Sequence, residues 1–119
     1  MNLLAREMNL PQSWNNSSGL STSPNYTTPR AMAILSSVAL KDELFRQLVN
    51  TKRYEVEVKN DRYGLTRRLI WKNTNKLLEC GWEGVKTGTT DTAGHCLMAL
   101  KGTMLIAVYS CDTLARRFS

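Results

Sequence analysis

Residues 93–100 and 104–109 are each apolar enough to be strands, and only a short turn around Lys101-Gly102 separates them. Parallel neighbours need a crossover of a dozen or more residues, so this spacing admits only an antiparallel hairpin. A further strand is predicted just upstream, over residues 82–87. Tyr54, Val56 and Val58 alternate with Glu55, Glu57 and Lys59, the period-two pattern of a half-buried strand. Asn60-Asp61 then marks a turn before an extended stretch over residues 65–72.

The first half of the chain carries the other period. Leu3, Leu4 and Met8 share one face of a helix over residues 2–9, which Pro11 stops. Thr28 followed by Pro29 reads as an N-cap and first helical residue, and Ala31, Ile34, Leu35 and Val38 follow at helical spacing, predicting a helix over residues 29–40. A short helix over residues 42–49 groups Leu44, Phe45 and Leu48, and residues 74–79 make one helical turn before Gly81. Residues 12–27 are dense in Ser, Asn, Thr, Gly and Pro and form a loop, ordered if Trp14 and Leu20 find a core. A helical part over 1–50 followed by a sheet part over 52–119 is the order of an α+β fold, not of an alternating parallel one. At 119 residues and 42% hydrophobic, the chain is one unit, 1–119, or part of a larger one.

Charge and cysteine usage narrow the classes further. The net charge of +6 is spread over Arg30, Lys52, Arg53, Lys59, Arg67, Arg68, Lys72 and Lys76 without a like-charge run or interleaved aromatics. That reads as a solvated surface, with no nucleic-acid partner expected. Cys80, Cys96 and Cys111 form no close metal-type pair, so neither a metal nor any cofactor is expected. Arg6 and Glu7 interrupt the apolar N-terminus, so no signal peptide is read there. No apolar run reaches the roughly 20 residues of a transmembrane helix.

The chemistry lies in residues 81–97, Gly-Trp-Glu-Gly-Val-Lys-Thr-Gly-Thr-Thr-Asp-Thr-Ala-Gly-His-Cys-Leu. Lys-Thr-Gly alone is short enough to occur by chance. Its setting is specific. The run resembles the Gly-Val-x-Gly-x-Lys-Thr-Gly-x-Thr-x-x-Ala-Gly-x-x-Leu signature of the serine-type D-alanyl-D-alanine carboxypeptidases, the low-molecular-mass penicillin-binding proteins. Asn73-Thr74-Asn75-Lys76-Leu77-Leu78 is similar to that family's Asn-Thr-Asn-x-Leu-Leu, and Asn16-Ser17-Ser18-Gly19-Leu20 to its Asn-Pro-x-Gly-Leu, with Ser17 in place of proline. The landmarks occur in family order, and the resemblance extends from Met1-Asn2 to Arg116-Arg117-Phe118.

The resemblance implies the C-terminal part of a catalytic domain, a partial β-lactamase/transpeptidase-like fold whose nucleophile helix is not included. It implies an enzyme that hydrolyses the terminal D-alanine of peptidoglycan stem peptides through an acyl-enzyme, binds β-lactams and works in the cell envelope outside the cytoplasm. Lys86 would hold the ligand electrostatically, Thr87 would hydrogen-bond its carboxylate, Gly88 would let the strand backbone approach, and Thr89 would lend its backbone N–H to an oxyanion hole. No catalytic residue is assigned. No serine here has lysine three residues later, and Ser13-Trp14-Asn15 and Ser23-Pro24-Asn25 match the letters of the family's Ser-x-Asn only inside the loop.

A truncated member, inactive alone and completed by an N-terminal half, is therefore the first expectation, with an apolar face of the strands over residues 82–109 left open. The alternative is a non-catalytic module that keeps the Lys-Thr-Gly pocket edge to bind peptidoglycan peptides or a partner. His95 is read as structural or exposed, Asp91 as a turn residue, and Trp71, Trp82 and Tyr109 as core.

Overall fold

The structure, a computed structural model, describes residues 2–20, 25–60 and 63–119. Three helices, α1 (Asn2–Glu7), α2 (Pro29–Ala39) and α3 (Glu43–Asn50), precede the strands β1 (Arg53–Asn60), β2 (Leu65–Lys72), β3 (Glu83–Thr90), β4 (Gly94–Lys101) and β5 (Met104–Cys111), with a 3-10 turn at Lys76–Cys80. Helices first and antiparallel strands second is the predicted α+β order. Ser23, Pro24 and the second residue of the Asn60-Asp61 turn lie outside the described residues.

Local chemistry sets the element ends. Thr28 sits extended, at φ −122° and ψ 155°, and its hydroxyl accepts the Ala31 N–H at 3.1 Å, so it caps α2 with Pro29 behind it. Asp42 caps α3 in the same way, accepting from Phe45 N–H at 2.7 Å. Each cap satisfies an orphaned donor and stabilises its helix by about 1 kcal/mol. In the loop, the Asn16 carboxamide accepts from Gly19 N–H at 2.8 Å and donates to the Leu20 carbonyl at 3.0 Å. That closure needs a residue at positive φ, which Gly19 supplies at +74°. The Asn-x-x-Gly-Leu motif is thus a folded turn.

The strands form two sheets, a ribbon β1-β2 and a three-stranded sheet β3-β4-β5, all antiparallel. Lys101 pairs with Met104, so the β4-β5 turn is Gly102-Thr103, one residue later than the sequence suggests. Gly102, at φ +59°, occupies the first central position, where a two-residue hairpin turn tolerates glycine best.

The centre of the molecule is β4. Leu97, Met98 and Ala99 are buried on both faces of the sheet, with α2 packed on β5 and α3 on β3. The strands over 82–109 are therefore better covered than expected. Apolar exposure lies elsewhere: Leu44 and Leu48 of α3, and Tyr54, Val58, Leu65 and Trp71 on one face of the ribbon, are open. The expectation of a core Trp71 fails: it is exposed with Tyr54, Val58 and Leu65 on the same face, where among the described residues only Val56 and Leu69 are half-buried, and it stacks on Tyr54, 6.0 Å between centroids. The radius of gyration, 16.4 Å, exceeds the roughly 13.5 Å of a compact chain this long.

One close approach fixes the main sheet. β3 bulges between Glu83 and Val85, and a Cβ on Gly84 would lie 2.7 Å from the Val49 side chain and also 2.7 Å from the Val49 carbonyl. Gly84→Ala is expected to destabilise the chain by roughly 2–3 kcal/mol, read as a lower urea midpoint. Adding Val49→Ala should not restore it, because the carbonyl still clashes; full rescue would show that only the side chain matters.

Candidate functional site

Lys86, Thr87, Gly88 and Thr89 run along β3 opposite Met98, Leu97, Cys96 and His95 of β4. The buried middle of β4 therefore backs this segment directly. Lys86, Gly88 and Thr89 are exposed and Thr87 is half-buried, so the segment forms one open wall. Lys86 Nζ donates to the Thr87 carbonyl, and among the described residues no carboxylate pairs with it. A Cβ on Gly88 would meet nothing within 4 Å. The protein itself does not need glycine there; the missing side chain keeps the strand face clear.

Two sets of contacts hold this wall in place. At its start, the Arg46 guanidinium donates from Nε and Nη2 to the two Glu83 carboxylate oxygens, both at 2.7 Å. Asn50 donates to Glu83 at 3.2 Å and accepts the Gly84 N–H at 2.6 Å. Beside the motif, the Asn73-Thr74-Asn75 run bridges α3 to β3. Asn73 Nδ2 donates to the carbonyls of Val49 and Thr51, at 3.2 and 3.1 Å. Its oxygen accepts from Asn75 N–H at 2.9 Å, and Asn75 caps the 3-10 turn through Leu77 N–H at 3.1 Å. Between them, Thr74 Oγ1 lies 2.5 Å from Thr87 Oγ1. The second family motif is a brace for the first.

A further cation stands behind the wall. Arg117 is 6% exposed, and its Nη1 donates to the Gly88 carbonyl and to Thr89 Oγ1, both at 3.2 Å, and to the Cys96 carbonyl at 3.4 Å. Its guanidinium lies over the Phe118 ring at 4.7 Å, and Nε is buried without a partner. A buried guanidinium without a carboxylate is costly unless something anionic completes it. Nothing in the spacing of Arg116-Arg117 marks one of the pair as buried, so the sequence does not single it out. His95, half-buried, has Nδ1 3.0 Å from Thr89 Oγ1 across the β3-β4 pair.

The remaining expected residues sort plainly. Asp91 lies exposed in the β3-β4 turn. Tyr109 is half-buried, and burial, with the neighbouring Cys96, pushes its hydroxyl up to about 12. Trp82 is covered by Lys101, 5.4 Å from the ring centroid. Concave surfaces around Asn2, Trp14 and Asn16, and around Glu55 and Arg68, do not touch the motif.

Residues 1–109 match the D-alanyl-D-alanine carboxypeptidase family, peptidase S11. The chain belongs to this family. It is 38% identical over 82 residues to a D-alanyl-D-alanine carboxypeptidase of Streptomyces sp. strain K15, covering 67% of this chain and 28% of that protein. It is 34% identical to D-alanyl-D-alanine carboxypeptidase DacF of Bacillus subtilis strain 168, covering 98% of this chain and 31% of that one. The crystal structure of the Streptomyces K15 DD-transpeptidase superposes with a TM-score of 0.86 at 32% identity, over 98% of this chain and 47% of that one. The chain thus spans under a third of the two relatives and about half of the solved structure, and it adopts a corresponding part of the DD-transpeptidase fold.

The Arg46–Glu83 brace has a pH signature. The Arg46 hydrogen bond, reinforced by Asn50 and by the guanidinium charge and opposed by burial, holds the Glu83 carboxyl below its ordinary range. A carboxylate depressed by folding stabilises the fold above its unfolded pKa, about 4.3 for glutamate, and that stability is lost as pH falls through the lower folded value. The variant Glu83→Gln is expected to unfold at lower urea than the parent near pH 7, and the gap should close toward about pH 3. A gap that persists in acid would mean the brace does not depend on charge.

Proposed function

We propose that this chain supplies one wall of a serine D-alanyl-D-alanine carboxypeptidase site, which hydrolyses the terminal D-alanine of peptidoglycan stem peptides and binds β-lactams. The observation that carries the reading is the pairing of an exposed Lys86 with a buried Arg117 beside the exposed end of β3, neither of them joined to a carboxylate among the described residues. Both cations favour an anion at that strand. Thr87, braced by Thr74, is placed to hydrogen-bond a ligand carboxylate; Gly88 leaves room for the ligand backbone; and the Thr89 N–H is the donor for a developing oxyanion. Preorganised donors of this kind act because they need no reorientation as charge develops.

The acylating step needs an activated hydroxyl. No Ser-x-x-Lys occurs in this sequence, so the nucleophile and its lysine would act from outside these 119 residues. The helical part, 1–50, and the sheet part, 52–119, then serve as portions of a single domain: α2 and α3 press on β5 and β3, and the open faces of α3 and the ribbon await cover. Members of this family are cell-wall enzymes that work outside the cytoplasm, which supports the same location for the proposed activity. No helix among the described residues is long and apolar enough to cross a membrane.

Fluorescent penicillin tests the division of labour. The isolated chain is expected to form no covalent adduct by mass spectrometry, while a longer polypeptide that adds a Ser-x-x-Lys segment to it should be labelled. An acyl adduct on the isolated chain would overturn the assignment. Separately, Lys86→Met should weaken non-covalent binding of N-acetyl-D-alanyl-D-alanine by about tenfold or more, the usual effect of losing a charge-assisted hydrogen bond. Unchanged affinity in calorimetry would remove Lys86 from the site.

A further inference from the structure

Thr89 stands at a junction between two side chains whose hydrogen-bonding roles differ. Arginine nitrogens can only donate, so Thr89 Oγ1 must accept from Arg117 Nη1 at 3.2 Å. The other contact, to His95 Nδ1 at 3.0 Å, can run either way. Thr89 and His95 are directly opposed across β3 and β4, so their contact is held by the strand register. Thr89 is exposed on its remaining side, and His95 is half-buried.

A hydroxyl has one proton and two acceptor positions. With neutral His95 carrying its hydrogen on Nε2, the Thr89 proton points into Nδ1 and is unavailable to a ligand. With protonated His95, Nδ1–H donates to Thr89 Oγ1, the second acceptor position is filled, and the Thr89 proton must turn elsewhere, toward the open face of the strand. Histidine is the side chain that ordinarily changes charge between about pH 5 and 8. We propose that His95 is a positioning residue that sets the direction of the Thr89 hydroxyl proton, so that the Lys-Thr-Gly wall binds a carboxylate more tightly when His95 is protonated.

The charged and titratable surroundings of His95 are few. Arg117 reaches it through Thr89. Cys111 of β5 lies opposite. The next residue, Asp112, is engaged by Arg116 at 3.1 Å, and Asp91 belongs to the turn beyond Thr90. By the same coupling, a carboxylate bound at the strand would favour protonated His95.

This inference rests on the carboxylate-binding reading of the strand, and the test separates the two. N-acetyl-D-alanyl-D-alanine, whose carboxylate stays ionised throughout, is titrated into the full chain near pH 5.5 and near pH 8. Binding is expected to be about tenfold tighter at the lower pH in the parent and nearly pH-independent in His95→Gln. Because the chain has a single histidine, nitrogen-15 NMR of the unmodified protein reads its tautomer directly, and the neutral form should carry its proton on Nε2. Binding whose pH ratio survives in His95→Gln, or a neutral Nδ1–H tautomer, overturns the role of His95 while leaving the site intact. No binding at either pH overturns the site reading, and the inference falls with it.

Discussion

The near-contact between the backbone of Gly84 and the end of α3 is the constraint on which the Lys-Thr-Gly wall depends. At that approach the chain exchanges a side chain for direct backbone packing on Val49, and the bulge there sets which residues of β3 meet which residues of β4. Strand side chains alternate between faces, so a slip of one residue would turn Lys86 and Thr87 to each other's sides. The surrounding polar contacts from Arg46, Asn50 and Asn73 all reach the same corner. Exposed ion pairs stabilise weakly on their own, so the value of these contacts lies in their agreement on one register.

Around this corner the molecule divides its polar groups unevenly. Arg46, Glu83, Asn50 and Asn73 satisfy one another or the backbone, whereas two buried donors near the wall, Nδ2 of Asn75 and Nε of Arg117, have no partner among the described residues. Buried orphans of this kind are uncommon in folded proteins and mark places where another group belongs. A third such donor, Trp14 Nε1, lies in the loop after α1, so the incomplete polar chemistry is shared between that loop and the residues that grip β3.

Much of this was legible in the sequence, for definite reasons. Thr28-Pro29 predicted α2 because a cap is a local event, and the short gap after β4 predicted the hairpin because chain geometry leaves no other connection. Asn73-Thr74-Asn75 and Lys86-Thr87-Gly88 were visible as motifs. What motif spacing does not carry is depth. Trp71 reads as a core residue yet lies open, because burial depends on what packs across from it, and nothing in the sequence marks Arg117 as enclosed. The pairing of His95 with Thr89 follows from a register that exists only once the β3-β4 turn is formed.

Gly84 and Gly88 lie four positions apart on the same strand and are held there by opposite causes. A side chain at position 84 would strike Val49, whereas one at position 88 would project into unoccupied space. The first glycine answers to the fold and the second only to whatever lies against the strand. In a lineage released from any ligand, mutational drift would erase the glycine at 88 long before the one at 84, so the residue at 88 serves as a record of whether the surface is still in use.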